Sequence, residues 1–200
     1  MKFFLEKKAL ILTEAMMTIS ILVTCAIIAG AMFTNAVNTT AVSKDFLIAN
    51  GLAIEGAEAV KNIVYTNKML YPTKPACWLN IDPEVVNCAV TAGSSSNYIP
   101  VEKADNAQTK GKWKLGNGNV NDLDLEANLS SAAAYLLYLD NVTKRYTTVA
   151  ANSVASKFYR SIKFLDVAND DSYATFEVKV AWFEGMKAWS TSSVVNIINL

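Results

Sequence analysis

Between residues 9 and 43 the chain carries one charge, Glu14. Residues 15–33 alone give nineteen uncharged, mostly apolar positions, close to the ~20 that cross a bilayer as a helix. Water does not solvate such a stretch, so lipid or other helices must cover it. The preceding residues, Met1-Lys2-Phe3-Phe4-Leu5-Glu6-Lys7-Lys8, hold three lysines against one glutamate, and no lysine directly follows the run. That asymmetry places the N-terminus in the cytoplasm and the rest of the chain outside.

Three readings of this segment compete. A cleaved secretory signal has an apolar region of about 7–15 residues, shorter than this one, and a carboxylate inside it would be a defect. A lipoprotein signal would use Leu22-Val23-Thr24-Cys25, with threonine an awkward neighbour for the cysteine. Neither accounts for Glu14. The third reading does. An ionised carboxylate at membrane depth costs several kcal/mol unless it is paired. An amine created at Leu10 would be such a partner, about one helical turn away within a chain or supplied by a neighbour. Without a partner, Glu14 would snorkel toward the cytoplasmic interface.

The run Lys7-Lys8-Ala9-Leu10-Ile11-Leu12-Thr13-Glu14-Ala15-Met16-Met17 resembles the type IV prepilin signal. That family has a basic leader, a small residue at the cut, and glutamate as the fifth mature residue. The resemblance implies cleavage between Ala9 and Leu10 by a prepilin peptidase, methylation of the new N-terminus, and subunit docking through Glu14. Ala9 stands where the family usually has Gly, and Leu10 where it usually has Phe. The implied partners are other pilin subunits, the peptidase, a membrane assembly platform and membrane lipid. The helix is retained, first as anchor and then as filament core.

Helical periodicity continues past the apolar run. Phe46, Ala49, Ala53, Ala57, Val60 and Val64 recur at spacings of three and four. Glu55, Glu58, Lys61 and Asn62 fall largely on other faces. Glu55 and Glu58 share a face as an acid-catalysis pair would, but a solvated face is the plainer account. Gly51 and Gly56 each weaken a helix by about 1 kcal/mol relative to Ala, which predicts local bending. The phrase Ala53-Ile54-Glu55-Gly56-Ala57-Glu58-Ala59 also resembles a stretch that ends the long helix of pilin-like proteins.

Composition removes other functions. The chain has no histidine, so the commonest general base, metal ligand and nucleophile partner are absent. Formal net charge is zero, which leaves no electrostatic footprint for nucleic acid. No phosphate-binding loop occurs. The chain reads as a non-enzyme with no cofactor. Cys77 and Cys88 lie outside the apolar block and suit a disulfide in an oxidising compartment, worth about 3 kcal/mol on the chain-entropy model. Two free thiols are the alternative. Too few ligands accompany them for zinc.

Beyond Asn67, Pro72, Pro75, Pro83 and Pro100 punctuate short elements up to about residue 107. Residues 78–81 and 84–89 read as arms of a small hairpin, and 112–115 as a strand. Residues 117–126 have the oxygen density of a calcium loop. Asp122, however, stands where an EF-hand needs glycine, so a polar turn is the default. Strands are predicted at 134–139, 145–149, 158–167, 173–184 and 187–198. In the fourth, Phe176, Val178, Val180 and Trp182 face one way and Glu177 and Lys179 the other. The segment from Phe158 onward resembles the final sheet of minor pilins. Tyr135, Tyr138, Tyr146, Tyr159, Trp182 and Trp189 read as core packing, with a sugar-binding or adhesive surface as the alternative.

The predicted fold is α+β and type IV pilin-like: a long N-terminal helix packed on an antiparallel sheet. Its parts are a leader (1–9), an apolar helix (10–43), an amphipathic continuation (44–67) and a globular domain (68–200). Functionally this predicts a filament subunit, held first in the inner membrane and then extracellular. A type II secretion pseudopilin is the alternative of the same build. A membrane- or lipid-anchored extracellular binding module is the alternative of a different class.

Overall fold

The computed structural model describes residues 2–74, 77–79, 97–102, 113–117, 132–168 and 172–199. It divides into two units, Met1–Asp45 and Phe46–Leu200. One helix, α1 (Lys2–Leu70), contributes to both. No proline falls within it, so nothing removes a backbone donor over its 69 residues.

In the first unit the hydroxyls of α1 turn back onto its own backbone. Ser20 Oγ donates to the Met16 carbonyl at 2.8 Å, Thr24 Oγ1 to Ser20 at 2.8 Å and Thr34 Oγ1 to Gly30 at 3.0 Å. Thr18, Thr39 and Thr40 do the same. Each polar group is thereby satisfied without water, as an apolar environment demands.

In the second unit α1 buries one stripe. Ala49, Ala53, Ala57, Val60 and Val64 are buried as their spacing predicts, and Leu52 and Ile63 widen the stripe. Phe46 is half-buried against the same core. Glu58 and Asn62 are exposed, and Glu58 accepts a 2.7 Å ion pair from Lys61.

The stripe packs on one antiparallel sheet of seven described strands. These are β1 (Asn97–Glu102), β2 (Trp113–Asn117), β3 (Leu136–Asp140), β4 (Tyr146–Thr147), β5 (Ser153–Val167), β6 (Tyr173–Glu184) and β7 (Lys187–Ile198). β5 organises it. One edge pairs with β6, from Phe158↔Trp182 to Val167↔Ala174. The other is shared, with β3 along its first half and β1 at Lys163 and Ile162. β6 and β7 form a tight hairpin at Gly185, whose φ of +61° suits glycine. The helix-facing side chains alternate as predicted: Phe176, Val178, Val180 and Trp182 are each 0% exposed. β5 adds Phe158, Arg160, Ile162 and Phe164 to that layer. The opposite face carries a smaller cluster of Ala132, Tyr135 and Ala181.

Several sequence expectations change: the strand predicted at 134–139 begins at Leu136, after a 3-10 turn at Ala133–Tyr135, and the one predicted at 158–167 begins at Ser153. Residues 77–79 form a turn, not the first arm of a hairpin. Asn67 Nδ2 on α1 donates to the Trp78 carbonyl at 3.0 Å, so that backbone acceptor is spent on the helix end rather than on a strand partner. Residues 80–89 lie outside the described residues. The strand predicted at 145–149 shortens to Tyr146–Thr147. Thr147 Oγ1 accepts the Val149 N–H at 3.2 Å and turns the chain away.

Gly56 has a packing role that propensity does not reveal. A Cβ built there would lie 2.8 Å from Val178 Cγ1 and 3.2 Å from Arg160 Cδ. A Cβ at Gly51 would meet nothing within 4 Å. The same substitution should therefore act with opposite sign at the two sites. Gly51→Ala should stabilise by about 0.5–1 kcal/mol through helix propensity. Gly56→Ala should destabilise by about 0.5–2 kcal/mol, because overpacking a fixed core outweighs that gain. Denaturant unfolding of the detergent-solubilised chain measures both; equal shifts would refute the close approach at Gly56.

Candidate functional site

The feature that separates this chain from an ordinary α+β domain is the first unit's helix surface. Met16, Met17, Ile19, Ile21, Leu22 and Met32 are each at least half exposed. Successive helical residues are rotated by about 100°, so these side chains cover the whole circumference. A helix apolar on every side is stable only inside lipid or among other helices. By length and composition α1 can cross a membrane, and so can serve as an anchor or a signal.

Glu14 stands near the start of this surface. It is exposed, and it is the one charged residue between positions 9 and 43. Ala9 and Leu10 belong to the backbone of the same helix. Leu10 and Glu14 are separated by four residues, so they lie on one helical face a turn apart. This arrangement can do one chemical thing: it offers a carboxylate, in an apolar setting, to a cation brought by the same or another chain.

Cys25 is exposed and is the free cysteine among the described residues. Cys77 is buried at 1% exposure. Cys88 lies outside the described residues. So does the possible calcium loop, apart from Asn117 at the end of β2. Among the described residues no group of three His, Cys, Asp or Glu side chains could hold a metal.

The paired carboxylates Glu55 and Glu58 do not converge as an acid pair. Each has its own cation: Lys61 for Glu58, and Arg160 for Glu55 at 3.6 Å. Arg160 escaped the sequence reading. It is 1% exposed and donates from Nη1 to the Leu52 carbonyl at 3.1 Å. Burial lowers its pKa, and the neighbouring Glu55 carboxylate opposes that shift. The sequence signal was its position, one alternate place from Phe158 and one from Ile162 on an otherwise apolar strand face. Among the described residues, removing Glu55 leaves this buried charge with the Leu52 carbonyl as its acceptor.

The aromatic residues mostly pack. Tyr135 and Trp182 are fully buried. Phe46 meets Trp182 and Trp189 edge-on at 4.9 and 5.6 Å, and Tyr146 meets Phe158 at 5.8 Å.

No protein-family model, no curated protein and no solved structure matches this chain. The helix-on-sheet architecture is compatible with a pilin-like fold.

Proposed function

We propose that this chain is a structural subunit of a type IV pilus-like filament. It enters the inner membrane with its N-terminus in the cytoplasm. Prepilin peptidase cuts it between Ala9 and Leu10, and an assembly platform draws it into a filament packed through α1. A pseudopilin of a type II secretion machine would use the same parts.

One observation carries the reading: an all-round apolar helix holds a single exposed carboxylate, Glu14, five residues after a small residue and a basic leader. An anchor alone has no use for that carboxylate. A filament does, because apolar helices slide freely past one another, while a desolvated ion pair fixes their axial register. The neighbouring subunit's Leu10 amine would be the partner. The globular unit then lies outside the membrane, where Cys77 would pair with Cys88.

The mature N-terminus decides the matter. Mass spectrometry of chain isolated from its native envelope should give a start at Leu10, with or without one methyl group. An acylated start at Cys25 would instead identify a lipid-anchored surface module, and an intact Met1 would leave an unprocessed anchor. Either result overturns the filament reading.

A further inference from the structure

Beside α1, the globular unit carries a cleft of about 790 Å³. Its aromatic walls are Trp113 of β2 and Tyr146 of β4, its charged groups Glu55, Asp140 and Arg145, and its hydroxyls Thr143 and Thr147. A second lobe of about 340 Å³ shares Glu55 and Trp113 and follows α1 to Tyr65. Trp113 is therefore a wall common to both lobes of the groove. The helix from Glu55 to Tyr65 rises about 15 Å, and the larger lobe falls within the roughly 300–1,000 Å³ of ligand sites.

The polar groups are arranged before any ligand arrives. Asp140 Oδ1 accepts the Val142 and Thr143 N–H groups and the Thr143 hydroxyl. These bonds hold its carboxyl below the usual range, so it is ionised at neutral pH, with Oδ2 left open. Arg145 makes no ion pair among the described residues. Tyr146 is braced edge-on by the buried Phe158, and Trp113 packs on the main core. Both rings are thus held in place by the fold.

Charge decides the ligand class. Among the described lining residues Glu55, Glu58 and Asp140 outnumber Arg145 and Lys61, and the buried Arg160, outside the lining, pairs with Glu55, so they give the groove no positive sign. A polyanion would need a positive one. An extended peptide adding to a strand edge is the competing occupant, because β2 and β4 each pair with one other described strand; the groove's lining, however, is of side chains. Flat rings beside carboxylates, a guanidinium and hydroxyls match a molecule with apolar faces and a rim of hydroxyls that both donate and accept. Two lobes that share Glu55 and Trp113 match a ligand of several linked units.

We propose that the groove binds a neutral oligosaccharide, with sugar rings on Trp113 and Tyr146 and hydroxyls on Asp140, Glu55 and Arg145. The site does not depend on whether the chain builds a filament or is only anchored.

The test uses the full-length chain in a sugar-free zwitterionic detergent. It is titrated calorimetrically with tetrasaccharides of β-1,4-glucose, α-1,4-glucose and β-1,4-N-acetylglucosamine. At least one should bind with Kd on the order of 1 mM or tighter. Trp113→Ala should weaken that binding at least about tenfold. Arg145→Ala, at an exposed side chain, should weaken it by about fivefold or more with unchanged thermal unfolding, which keeps the test valid if Trp113→Ala disturbs folding. The proposal is overturned if none of the three sugars binds at about 5 mM, if binding survives Arg145→Ala unchanged, or if an uncharged peptide binds there and the sugars do not.

Discussion

Glu14→Ala should insert into the membrane as well as the wild type and yet be largely absent from filaments. Removing a carboxylate from an apolar helix lowers the cost of insertion, so the amount in the membrane fraction should not fall. Assembly is different. In the proposed filament the Glu14 carboxylate neutralises a neighbour's amine inside a helix bundle, and breaking a buried pair from one side costs about 3–5 kcal/mol. That corresponds to a loss of more than about a hundredfold in incorporation. The measurement compares sheared filaments with membranes by quantitative immunoblot. Glu14→Gln keeps the size and hydrogen-bonding capacity and removes the charge, so it should fail as well. Normal incorporation of Glu14→Ala would sink the docking role, and normal incorporation of Glu14→Gln would reduce it to a hydrogen bond.

The largest stability effect is expected at Trp182. Its indole is fully buried and meets Phe46 at 4.9 Å and Phe158 at 6.0 Å. It thus joins the helix to two strands in one contact. Truncating such a residue to Ala costs about 3–5 kcal/mol, a large share of the 5–15 kcal/mol typical of a domain. Denaturant unfolding of the solubilised chain, followed by near-ultraviolet dichroism, should register that loss. Val194→Ala on the exposed face of β7 is the control and should change stability by less than about 0.5 kcal/mol. A loss below about 1 kcal/mol at Trp182 would mean that the helix-to-sheet contact contributes little.

Much of the fold was legible because period alone carries it. Ala49, Ala53, Ala57, Val60 and Val64 repeat at helical spacing, and all are buried. The β6 alternation is equally plain, since every second side chain from Phe176 to Trp182 enters the core. Period was silent where a residue serves a partner distant in sequence. Gly56 read as a weak point of a helix, yet a Cβ there would press on Val178 of β6 and Arg160 of β5. Arg160 read as one residue of a strand, yet its guanidinium is buried and reaches a helix carbonyl 108 positions away. Trp113 read as part of a short strand, yet it stands between two lobes of a groove whose other walls come from α1 and β4.

The sequence by itself determined the N-terminal unit: a helix long and apolar enough to cross a membrane, and one carboxylate at a fixed distance from a small residue. Those properties belong to consecutive residues, so helix geometry and hydropathy suffice to derive them. Only the tertiary structure decided which glycine is a contact, which arginine is buried, and which aromatic rings line a cleft. Each of those depends on strand register and on helix-to-sheet packing, which bring together residues that no local pattern connects.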